Sequence, residues 1–135
     1  MPRPIFPTLI CALLGMAAWT GCAAAPAKWE RILSDEQGSY YLDSASIQSK
    51  DRVRTFWSLR DYKRMQSTYD GKAYQSTLVK IELDCAGQEA TALEITYFTG
   101  QMLGGDKVLR ESDFHNAQPV QGNSPITRFA QRLCK

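Results

Sequence analysis

The sequence predicts an α+β fold, an antiparallel β-sheet meander with a C-terminal α-helix packed on one face and pinned there by a disulfide. Three observations carry that expectation. Runs with a period of two fill the middle of the chain and are parted by turn residues. The period changes to that of an amphipathic helix at the C-terminus. Two cysteines, Cys85 and Cys134, fall on the apolar sides of a predicted strand and of that helix.

Taken in order, Trp29 to Leu33 reads as a short strand of ambiguous face, with Trp29, Arg31 and Leu33 on one side and Glu30 and Ile32 on the other. Gly38 to Asp43 adds a glycine turn and an aromatic strand fragment. The side-chain oxygens of Asp43, Ser44 and Ser46 can bond the backbone just ahead, which predicts a helical turn up to Ile47. Gln48 to Asp51 is polar and reads as a turn. From Arg52 to Gln66 the period is two: Val53, Thr55, Trp57 and Leu59 form one face, and Arg54, Ser58 and Arg60 the other, with Phe56 out of place among them. Asp70-Gly71 marks a hairpin turn. Beyond it Thr77, Val79, Ile81, Leu83 and Cys85 alternate with Leu78, Lys80, Glu82 and Asp84.

Ala86-Gly87-Gln88 turns the chain into Glu89 to Thr99, where Thr91, Leu93, Ile95 and Tyr97 share a face. Short connections between these three strands favour antiparallel pairing with one packed and one wet face. Gly100, Gly104 and Gly105 interrupt the next stretch, and Lys107 to Arg110 is placed as an edge strand. Near the C-terminus Ser124 is placed as cap and Pro125 as first helical residue, and Ile126, Phe129, Ala130, Leu133 and Cys134 recur at helical spacing.

The N-terminus is an export signal. Arg3 precedes a mostly apolar run from Ile5 to Trp19, shorter than the roughly 20 residues a spanning helix requires. Two cleavage readings compete. Ala25-Pro26-Ala27 is a small-x-small site for an ordinary signal peptidase, which would discard Cys22. Trp19-Thr20-Gly21-Cys22 resembles a bacterial lipobox, although Trp19 stands where an aliphatic residue is usual. We take the second reading: residues 1–21 as signal peptide, Cys22 as lipidation site, 22–27 as tether, and 28–135 as one domain. A lipid anchor at Cys22 followed by Ala23 favours the outer membrane, with the periplasm as the alternative.

Removing residues 1–21 takes one arginine and no acid from a net charge of +2, leaving +1, which is no nucleic-acid-binding balance. Of four cysteines, Cys11 lies in the signal and Cys22 at the cleavage site. Cys85 and Cys134 remain, and in an exported chain an even remainder reads as a disulfide rather than two free buried thiols. Closing that loop restricts the unfolded chain by roughly 4 kcal/mol in the entropic account. The bond would clamp a helix of about eleven residues, marginal by itself in water, to the sheet.

The series of export signal, Trp29, YYLDSASI (Tyr40 to Ile47), FWSLRDYK (Phe56 to Lys63), ELDC (Glu82 to Cys85) and SPITRFAQRLCK (Ser124 to Lys135) resembles the surface-adhesin protein E family of small Gram-negative envelope proteins, over about Lys28 to Lys135. The resemblance implies an antiparallel sheet with a C-terminal helix held by a Cys85–Cys134 disulfide. It also implies an envelope location and adhesin-like partners, host extracellular proteins or glycans, with self-association into a homodimer.

Catalytic constellations are not found in the sequence, so the expectation is a non-enzyme. The single histidine, His115, lies in a polar stretch without a partnered nucleophile. Glu82, Asp84 and Glu94 read as a wet sheet face opposite Lys80. Neither a P-loop nor a dinucleotide fingerprint is present, nor paired His/Cys spacing, so no metal and no cofactor are expected. The candidate partner-binding face is basic and aromatic: Arg52, Arg54, Arg60, Lys63, Arg64, Tyr62 and Tyr69, with arginine for carboxylate or sulfate and rings for contact area. Its bland counterpart is a charged edge that blocks sheet-to-sheet aggregation. The aromatics Tyr40, Tyr41, Phe56, Trp57 and Tyr62 are assigned mainly to the core. The function expected is a non-enzymatic envelope protein, an adhesin-like or self-associating lipoprotein; the alternatives are a periplasmic accessory domain without a host ligand, or a small-ligand carrier using the space between helix and sheet.

Overall fold

A computed structural model describes residues 26–114 and 116–135. The segment expected to be a signal peptide, the expected lipidation site Cys22, and His115 lie outside the described residues. The elements are β1 (Trp29–Ser34), β2 (Gly38–Asp43), β3 (Gln48–Lys50), β4 (Val53–Ser67), β5 (Ala73–Asp84), β6 (Glu89–Phe98), β7 (Lys107–Ser112), β8 (Gln118–Pro119) and α1 (Pro125–Leu133). The strands form one antiparallel sheet in the order β1-β2-β4-β5-β6-β7, with β3 paired to β4 and β8 to β6. The expected architecture is therefore present, with β7 as an edge strand.

Three local expectations are corrected. Gln48–Lys50 pairs with Val53–Thr55 as a strand instead of a turn, because folding back beside β4 satisfies its backbone groups. Ser124 does not cap α1 with its side chain; its hydroxyl bonds Thr127 Oγ1 at 3.0 Å and the Gln121 carbonyl at 3.3 Å. On β4 the face beneath the helix is the even one. Phe56 stacks on Phe129 with centroids 5.4 Å apart, and Phe56, Leu42, Leu83, Ala90, Phe129, Ala130 and Leu133 form the main core with Tyr40. The residue that broke the pattern leads the core, since a ring buried under a ring outweighs the threonine and valine across from it.

β5 keeps its expected face: Ile81 and Leu83 pair with Phe56 and Arg54 and lie with the core. β6 keeps only half. Ile95 and Tyr97 pair with Val79 and Thr77, but the register slips between Lys80↔Glu94 and Ile81↔Ala92, so Ala92 and Ala90, not Leu93 and Thr91, continue the face.

The disulfide joins Cys85, just past β5, to Cys134, just past α1, with Cα atoms 5.4 Å apart. At the other side of the helix, Arg132 holds Glu30 of β1 by two hydrogen bonds of 3.0 and 3.2 Å. Asp43 ties the start of the domain, accepting from the backbone N–H of Lys28 at 2.8 Å and of Ala45 at 3.0 Å, the local bonding expected of that segment. Gly38 is required where β2 meets β4, because a Cβ there would overlap the carbonyl oxygen of Asp61.

On the second face Leu59, Ser76, Thr96 and Phe98 are buried outside the main core. A tight turn at Gln101–Leu103 folds against β4 and β5. Met102 and Leu103 take left-handed backbone there (φ 50° and 63°), held by hydrogen bonds from Met102 N–H to Asp61 at 2.8 Å and from Leu103 N–H to Ser76 Oγ at 2.9 Å.

Candidate functional site: an aromatic groove and a projecting hairpin

Nine helical residues rise only about 14 Å, whereas the fifteen of β4 span roughly 50 Å. The helix therefore covers one part of the sheet face and leaves the rest open as a groove of about 990 Å³. Its floor is Thr77, Val79, Ile81 and Ile95; Ile126 and Phe129 of α1 form one wall.

The opposite wall is a row of tyrosines. Tyr74 of β5 meets Tyr62 of β4 edge-on at 5.6 Å and Tyr97 of β6 edge-on at 4.8 Å. Tyr97 donates its hydroxyl to Glu111 of β7 at 3.2 Å. At the β2 end, the Arg60 guanidinium lies between the Tyr40 and Tyr62 rings, 4.6 and 4.5 Å from their centroids. One Nη donates to Gln37 Oε1 at 2.9 Å, and Nε is enclosed without a hydrogen-bond partner among the described residues.

Burial raises the phenol pKa of Tyr40 and Tyr62, opposed in both by Arg60. Tyr97 is pushed up to about 12 by burial, with the neighbouring Glu111 carboxylate adding to it. The three hydroxyls are neutral across the physiological range, so Arg60 is the positive charge at this wall.

The second candidate feature is the β4–β5 hairpin. The Lys63 N–H still bonds the Gln37 carbonyl at 2.9 Å. β4 bulges between Asp61 and Gln66 and from there pairs only with β5, so residues 64–73 form the projecting end. Lys72 Nζ reaches back from it to the Val108 carbonyl of β7 at 3.1 Å. Lys63, Arg64 and Met65 are exposed there, Met65 by 52 % and Tyr69 at the turn by 84 %. Gly71 takes the left-handed conformation that the Asp70-Gly71 turn requires (φ 81°).

The basic-aromatic set named from the sequence thus occupies three places. Lys63, Arg64 and Tyr69 lie on the hairpin; Arg60 and Tyr62 line the groove; Arg52 and Arg54 lie at the far end of β4, where Arg54 bonds the Asp51 and Val53 carbonyls. They do not form one continuous face. Of the groove, Gln37 and Tyr97 were not named as site residues from the sequence, nor was Glu111, which lies outside the lining and accepts from the Tyr97 hydroxyl. The usable signal was length: a helix of about eleven residues cannot roof a strand of fifteen.

Among the described residues no group of three or more acidic, histidine or cysteine side chains is arranged to hold a metal, and no helix is long and apolar enough to cross a membrane. The fold defines a class of protein: a small disulfide-clasped antiparallel sheet with one helix. The family profile of surface-adhesin protein E matches residues 29–135, and the chain belongs to that family. Solved structures of Haemophilus influenzae protein E share the fold. One superimposes with a TM-score of 0.57 at 18% identity, covering 83% of this chain and 90% of that one. A structure of protein E from non-typeable Haemophilus influenzae gives 0.57 at 17% identity, with 82% and 77% covered. No curated protein matches the chain significantly.

Proposed function

We propose that the protein is a non-enzymatic surface protein, anchored in the outer membrane by acylation of Cys22, whose β4–β5 hairpin engages host extracellular proteins or glycans. The observation that supports this reading is the polarity of the domain. Trp29 pairs with Asp43, and Leu42 with Ser58, so the chain begins level with Trp57 and comes from the side away from the hairpin. Counted on β5, from Lys80 opposite Trp57 to Ala73 opposite Ser67, the hairpin extends roughly 23 Å further. A tether at residues 22–27 therefore leaves Lys63, Arg64, Met65 and Tyr69 at the end farthest from the anchor. Exposed aromatic and basic side chains at such a tip are the residue types that dominate protein contacts and that bind carboxylate or sulfate. Family membership agrees with an adhesin-like role.

Two measurements test the reading. Intact mass and membrane fractionation of the protein made in a Gram-negative host should show an acylated, membrane-bound chain, and Cys22→Ser should lose both properties. An unmodified chain beginning near Lys28 would remove the anchor and favour a periplasmic domain. Intact cells displaying the protein should bind wells coated with basement-membrane extract or heparin, and the Lys63→Glu, Arg64→Glu, Tyr69→Ala variant should not. Equal binding by that variant would remove the hairpin from the proposal.

A further inference from the structure

We propose that the groove is a binding site for a single-headed anionic amphiphile, a medium- or long-chain carboxylate, with its head on Arg60 and its alkyl chain along Val79, Ile81 and Ile95. This inference stands apart from the hairpin and from the anchor. Arg60 is the only cation lining the groove among the described residues. No carboxylate lies within ion-pair distance of it among them. Its neutral partner Gln37 takes one Nη, its Nε is enclosed and unpaired, and the other Nη has no hydrogen bond there and is not enclosed. An enclosed guanidinium N–H left without an acceptor is costly, and the two flanking rings offset only part of that cost. An incoming carboxylate completes the set. The rings also hold the side chain in place, so little rotamer freedom is lost when the head group binds.

Among the described residues the lining holds one cation and two acids, which limits an anionic head to a single charge, at Arg60. Asp35 and Glu36 line the same end of the groove, and the Asp35 carboxylate is already engaged by the N–H groups of Gln37 and Gly38 at 2.8 and 3.0 Å. A second anionic group would meet these acids. The floor selects an alkyl chain. Thr77 pairs with Arg60 and Ile81 with Phe56, so the floor runs about 13 Å from the cation to the helix wall. Val79, Ile81 and Ile95 are only half-buried along it. An extended decanoate matches that length.

The test is a titration of the purified protein with decanoate and, separately, with decanol, followed by backbone amide NMR. Decanoate should shift Thr77, Val79 and Ile95 saturably and bind about tenfold or more tighter than decanol, the difference a charge-assisted hydrogen bond makes. Arg60→Gln should abolish the preference while both compounds still shift Val79 and Ile95. Equal affinity for the two compounds in the wild-type protein overturns the proposal without any variant. So do decanoate shifts confined to the hairpin, absence of saturable shifts, or sedimentation showing a dimer whose second copy already covers these amides.

Discussion

One face of one sheet carries two regions of opposite character. Beneath α1, Leu42, Phe56 and Leu83 meet Phe129 and are closed from water. A few residues further along the same strands, Tyr62, Tyr74 and Tyr97 are joined edge to edge, Tyr40 and Tyr62 flank Arg60, and no helix lies over them. The closed half draws its stability from apolar area, the open half from ring contacts and a cation that the rings themselves shield. Stability and the proposed recognition therefore fall on different stretches of the same strands, and substitutions should separate them.

The largest effect is expected in the closed half. Phe129→Ala should lower unfolding free energy by about 3–5 kcal/mol, through lost burial and the cavity left over Phe56; urea denaturation measures it, and a loss below that of any open-half variant would contradict the division. Replacing Cys85 and Cys134 together with serine should cost about 2–4 kcal/mol, and an unchanged melting temperature would mean that packing alone holds α1. In the open half, Arg60→Gln should cost about 1 kcal/mol, the scale of its ring contacts, while abolishing any preference for an anionic head group.

Alkali should act selectively on the same half. Tyr40, Tyr62 and Tyr97 have folded-state pKa values above that of an unfolded chain, so the unfolded state releases protons first as pH rises. Their stabilising contribution is complete below about pH 10 and is lost as pH climbs towards the folded values, about 12 for Tyr97. Denaturation midpoints of wild type and a Tyr97→Phe variant between these limits should show a shallower fall in the variant. The smallest effect is expected at the helix rim: Arg132→Ala breaks the exposed pair with Glu30 and should cost under about 1 kcal/mol, measured in the same denaturation series.

The same comparison shows what was readable in the sequence. Strand existence was, because alternation in β4, β5 and β6 runs long enough to stand out, and so was the helix with its cysteine. The burial side of β4 was not, because Phe56 and Trp57 are neighbours that point to opposite faces, and either could head a core. Trp57 instead faces away from the helix, with the Lys80 ammonium 5.8 Å from its ring. The slip between Glu94 and Ala92 left no glycine or proline to announce it, so the alternation was carried through a bulge that reverses it. Of the site, the basic and aromatic residues were named, but their division among groove, hairpin and strand end depends on where the helix stops and where the neighbouring strands give out.

The position of α1 after every strand has a consequence for the order in which the domain can be made. Both the groove wall and the clasp wait for residues that come after the sheet, and the Cys85 thiol waits across a separation of 49 positions. A nascent chain stopped anywhere between Pro119 and Pro125 already holds all eight strands but shows Phe56, Leu42 and Leu83 to the solvent. Such a fragment is a sheet with a sticky side, prone to association, and it becomes soluble only when the final segment arrives to shut it.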